Sequence, residues 1–244
     1  MSARPLRTAL ALALALVAGL AALHRWLRRT TVATTHGQVR IIGPDRGETV
    51  NASGAVASVQ TAEIDVDRSL LQRIWSPDSL ELLARGYWAF LRRFTLGAIR
   101  VVYGDGDRTV TAFGRIPLLR FGAPSYETGG GRGRVTWPIA EGLLVAPEGR
   151  GRGHLRVSVE RADQGGDRGD RVRLIARVEV ANFYPGLRGR GAFARFGAFL
   201  YAQTQLRIHV IVCNAYLLSL PTLDFPGVDT TSMPSEREPE PSAA

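Results

Sequence analysis

Between Gly97 and Tyr184 the apolar residues recur at every second position in six segments, and turns rich in glycine separate most of them. A period of two sustained this long specifies strands, and strands joined by short turns specify an antiparallel sheet. The segments read AIRVVY, RTVTAFG, LLRFGAPSYE, VTWPIAEGLLVA, HLRVSVERA and RVRLIARVEVANFY. GDGD, TGGGRGR, PEGRGRG and DQGGDRGD supply the turns between them. Upstream, SVQTAEIDVD reads as another strand and RSLLQRIW as a short helix. Ser76 then caps a longer helix, with Pro77 at its first position and Asp78 at its positive end. Leu80, Leu83, Tyr87, Phe90, Leu91 and Phe94 fall on its apolar stripe, the mark of core packing.

Pro185 and Gly186 end the last strand, and a final helix is expected from near Phe193. Its sequence, RFGAFLYAQTQLRIHVIVCNAYLLSL over 195–220, is apolar but interrupted by hydrogen-bonding groups. A membrane span is excluded, because Gln203, Gln205, Arg207 and His209 crowd within seven residues. Two readings remain. In a plain core helix the backbone satisfies these groups. In a cavity wall, Tyr201, Gln205, His209 and Cys213, recurring every four residues, line one stripe. Gln203, Arg207 and Asn214 occupy another stripe. Each buried polar group without a partner costs about 1–3 kcal/mol, which favours the cavity wall.

The order strand, two helices, six strands, long helix resembles the START and polyketide-cyclase-like superfamily, SRPBCC. The segment AEIDVDRSLLQRIWSPD is similar to that family's opening strand and helix, and the resemblance covers about residues 57–221. It implies an α+β helix-grip fold, a bent antiparallel sheet wrapped around the last helix with an apolar cavity between them. Members carry or sense lipids and hormones, or act as cyclases and hydrolases. Strand counting places Arg115, Arg150, Arg152, Arg188 and Arg190 at one end of the sheet and Arg132 and Arg134 at the other. In the family the first set of loops surrounds the cavity mouth. The expected ligand is therefore a hydrophobic, anionic small molecule or lipid, bound by Tyr201, Gln205, His209, Cys213 and the five rim arginines. The alternative is a cyclase or dehydratase, with His209 as general base near its ordinary pKa and Tyr201 or Tyr184 as hydrogen-bond donor. A non-catalytic structural module of the cell envelope is a third reading.

Outside that region the chain changes character. The uncharged run from Thr8 to Leu23 lies between Arg4 and Arg7 on one side and Arg25, Arg28 and Arg29 on the other. Residues 1–29 therefore read as an N-terminal transmembrane helix holding the protein at the cell membrane, with His24 tipping the domain toward the cytoplasm. A cleaved signal peptide is the competing reading. Sixteen helical residues span about 24 Å, short of the roughly 30 Å hydrocarbon core, so Trp26 and Leu27 are expected to extend the span. Residues 30–56 read as a tether with one short strand at GQVRIIG, and 222–244 as a disordered acidic tail.

The formal net charge of +9 invites a nucleic-acid reading. None of the 31 basic residues is lysine, however, and the arginines are scattered over every segment instead of forming a stripe. A solvated basic surface explains them, and no nucleic-acid partner is expected. RGR recurs at 132–134, 150–152 and 188–190, always at turns. One cysteine excludes an intrachain disulfide, and four histidines without i, i+4 pairing or HExxH spacing give no zinc site. No cofactor is expected.

Overall fold

The period-two segments pair as their alternation requires. The computed structural model describes residues 4–34, 37–43, 49–50, 55–74, 77–162, 169–184 and 208–220. Helix α1 (Arg4–Arg29) is followed by strands β1 (Thr31–Thr34), β2 (Gly37–Ile42), β3 (Thr49–Val50) and β4 (Val56–Asp67). Helices α2 (Arg68–Ile74) and α3 (Pro77–Phe94) lead into β5 (Ile99–Tyr103), β6 (Arg108–Ala112), β7 (Ile116–Phe121) and β8 (Ser125–Gly129). Then come β9 (Arg132–Glu141), β10 (Gly153–Arg161) and β11 (Arg171–Phe183). The last described helix, α4, covers 208–219. The tail from 222 and the first part of the expected final helix lie outside the described residues.

All pairings are antiparallel, in the order β1-β2-β4-β11-β10-β9-β7-β6-β5, with β3 beside β4 and β8 beside β9. The protein is thus α+β with one large antiparallel sheet. The opening strand β4 pairs with the last strand β11 from Asp67–Arg171 to Ser58–Val180. Two differences from the sequence reading have local causes. LLRFGAPSYE is two strands, because Gly122 and Pro124 break it and Pro124 has no N–H to give a ladder. Gly122 N–H donates instead to Pro138 O at 2.9 Å, and both halves still pair with β9. The segment read as a tether supplies three strands, of which β2 matches GQVRIIG and adds Val39 and Ile41 to the core.

Register aligns inward-facing rows across the sheet. Trp137, Leu155, Val180 and Ser58 form one row, and Val135, Val157, Val178 and Gln60 the next. The apolar members of these rows share one hydrophobic cluster with Tyr87 and Trp88 of α3 and with Ile211, Cys213, Tyr216 and Leu217 of α4. The opposite face is charged. Glu63 meets Arg40 at 3.0 Å and Arg173 at 3.2 Å, and Glu160 pairs with both Arg132 and Arg177.

The transmembrane expectation is corrected here: among the described residues no helix is long and apolar enough to cross a membrane. The end of α1 that was to extend the span is built into the domain instead. Leu27 is buried in the main core, and Leu20, two turns earlier on the same face, packs against it. Thr30 Oγ1 donates to Trp26 O at 2.8 Å and closes the helix where the chain turns into β1.

Candidate functional site

The interior between β9, β7, α3 and α4 is walled by aromatic rings. Trp88 meets Trp137 edge-on at 5.2 Å, Tyr87 edge-on at 5.0 Å and Phe121 at 5.2 Å. Tyr216 meets Tyr87 edge-on at 5.1 Å and donates its hydroxyl to Leu83 O at 2.9 Å, locking α4 to α3. Such contacts add about 0.5–1.5 kcal/mol per pair beyond area burial.

Polar groups are set into this apolar wall. Asn214 on α4 is 0% exposed, and among the described residues neither its amide nitrogen nor its oxygen has a hydrogen-bond partner. The indole N–H of Trp88 is likewise buried and unpartnered. On β6, Arg108 is 4% exposed and its guanidinium lies 5.8 Å from the Trp137 ring centroid. Ser58 accepts from the Gln60 side-chain amide at 3.3 Å on the inward face of β4. Sequence reasoning missed Trp88, Arg108, Ser58 and Gln60 and assigned Asn214 to the other stripe. For Arg108 the signal was present, since it is two residues before Val110 and alternation puts both on the inward face.

Of the expected stripe, Tyr201 and Gln205 lie outside the described residues, as do the rim residues Arg188 and Arg190. His209 and Cys213 are adjacent on α4, with the cysteine sulfur 3.5 Å from Nε2 and 3.8 Å from Nδ1. Burial pushes the Cys213 thiol up to about 12 and the His209 imidazole down to about 4. The second value corrects the premise for His209 as a general base: its pKa is not near neutrality, because desolvation disfavours the imidazolium. Tyr184 belongs to a separate buried cluster with Ala55 and Ala146, and the Arg152 guanidinium lies 5.2 Å from its ring centroid. Arg115, Arg150 and Arg152 lie in the β6–β7 and β9–β10 connections, at one end of the sheet, and all are exposed. Arg132 and Arg134 sit at the opposite end, paired with Glu160 and Glu127 at 3.1 Å each.

No group of histidine, cysteine or carboxylate side chains among the described residues could hold a metal ion. The described interior thus combines packed aromatic rings with a buried amide, a buried indole N–H and a buried guanidinium. The described thiol–imidazole contact, Cys213 with His209, is held neutral on both sides by burial.

Fold and interior together define an α+β protein whose large antiparallel sheet and last described helix share an aromatic interior, with polar groups that are unpartnered among the described residues. No family model and no curated protein matches the chain. Among solved structures it is similar to norcoclaurine synthase from Thalictrum flavum at 14% identity, covering 68% of this chain and 95% of that one, with a TM-score of 0.28. It is also similar to an uncharacterized protein from Rhizobium leguminosarum at 14% identity, covering 66% and 95%, with a TM-score of 0.24. These are weak fold-level resemblances, and they carry no argument about family, ligand or reaction.

Proposed function

We propose that the protein binds a hydrophobic, anionic small molecule or lipid between its sheet and its last helix, in the manner of a helix-grip domain. The observation that carries this reading is Asn214. A fully buried amide with neither atom hydrogen-bonded costs a protein about 1–3 kcal/mol for each lost partner, and a bound polar group removes that cost. The rings of Trp88, Trp137 and Tyr216 suit an apolar body. Arg108, buried above Trp137, suits a carboxylate or phosphate through its planar fork. The exposed Arg115, Arg150 and Arg152, with Arg188 and Arg190 following in the chain, are the proposed rim.

The apolar run from Thr8 to Leu23, with arginines at both ends, supports attachment to the cell membrane. Binding is favoured over a cyclase or dehydratase chemistry, because the only described polar neighbour of His209 is a protonated thiol. Native mass spectrometry of the full chain released from mild detergent tests the reading. Wild-type protein should retain an added mass that Asn214→Leu, close in volume but without the amide, loses. A bare mass for both proteins, each folded by circular dichroism, would contradict ligand binding.

A further inference from the structure

Helix α3 ends in a Schellman turn, with Gly97 N–H donating to Arg92 O at 2.8 Å and Leu96 N–H to Arg93 O at 3.0 Å. The left-handed position that such a turn reserves for glycine holds Leu96, at φ 52°, and its side chain is 96% exposed. The β6–β7 turn repeats the device. Phe113 and Gly114 sit at φ 50° and 67°, and Arg115 N–H closes on Ala112 O at 3.1 Å. Phe113 is 74% exposed at a position where asparagine or glycine is preferred. The two turns are joined, since Phe113 N–H donates to Ala98 O at 2.7 Å. Phe94, Ile116 and Leu143 add further exposed apolar surface at this end of the sheet. Folding alone gives no reason to hold leucine and phenylalanine in left-handed backbone and in water.

The two turns and the residues flanking them carry charge of one sign, the exposed Glu148 at this end belonging to the β9–β10 connection. Arg92, Arg93, Arg100 and Arg115 are all exposed, and neither turn contains an acidic residue. Asp105 and Asp107 belong to the β5–β6 turn at the far end of those strands.

We propose that this end of the sheet is a docking tip for an anionic lipid bilayer. Leu96 and Phe113 enter the boundary between headgroups and acyl chains, and the four arginines pair with the phosphates around them. A second copy of the chain fits the surface poorly, because a two-fold contact would press the four arginines against their own copies. The inference rests neither on the interior site nor on the Thr8–Leu23 run.

The test uses the full chain labelled with a nitrobenzoxadiazole dye at Phe113→Cys, or at Asp105→Cys as the far-end control. Cys213 is fully buried and stays unlabelled in the folded protein. On phosphatidylserine vesicles the label at 113 should shift to the blue and be quenched by doxyl lipids, while the label at 105 reports water. Replacing the four arginines with glutamine should weaken partition onto those vesicles by about fivefold for each arginine removed, and hardly change it on phosphatidylcholine. Vesicle binding with position 113 still in water would overturn the tip while leaving attachment through Thr8–Leu23 intact. Shielding of position 113 that grows with protein concentration before lipid is added would assign the surface to a second copy and overturn the proposal.

Discussion

Asn214, fully buried, and His209, half-buried, stand five residues apart on α4 and respond differently to loss of water. The histidine responds by losing its charge, because burial holds its pKa near 4 against an ordinary 6.5. Between those values the unfolded chain takes up a proton that the folded ring refuses, so stability should fall as pH drops from about 6.5 to about 4. His209→Gln should flatten that limb in urea titrations run across the range; an unchanged slope would contradict the burial of the ring. Glu179, held low by His154 at 3.7 Å and by Arg156, adds a separate loss below its ordinary value of 4.5. So does Glu160, which burial alone would raise but which Arg177 and Arg132 pull down. Asparagine has no charge to lose, so Asn214 either remains unpartnered or meets a ligand. At this scale the sequence was half legible. It marked His209 and Cys213 as neighbours on one stripe, but it put weight on periodicity, and periodicity cannot tell which polar group lacks a partner once α3 has packed.

The α1 helix shows what a composition argument overlooks at the scale of elements. Alanine and leucine favour a helix in water, in a membrane or against a sheet alike, so the run itself could not reveal that Leu27 reaches the core. A helix that served only as a membrane span could be removed without changing the domain. The packing of Leu27 and Leu20 predicts otherwise: Leu27→Ala should cost about 2 kcal/mol, the low end for a core leucine, and the deletion at least as much. Chemical denaturation of the two variants measures this, and unchanged midpoints would mean that α1 does not dock. The strands were easier to read, because alternation and glycine-rich turns are local signals. What escaped was β1, four residues of threonine, valine and alanine, and the β7–β8 break, where one proline outweighs an otherwise continuous pattern.

Over the whole molecule the arginines separate by what they face. On the outer face of the sheet many are neutralised in cross-strand pairs with Glu63, Asp65, Glu160 and Glu179, each worth little alone at the surface. Arg108 faces inward, and a further set is exposed at one end. The described arginines are therefore not uniformly solvated. The interior is proposed to accept an apolar anion. Trp88 and Trp137 lie in that interior, whereas Trp26 is exposed on α1. In a Trp26→Phe, Trp75→Phe background, titration with dibromostearate should quench the two remaining indoles along a saturable curve, and Asn214→Leu should weaken it. Fluorescence that stays constant, or declines without saturating and equally in both proteins, would contradict an interior ligand site.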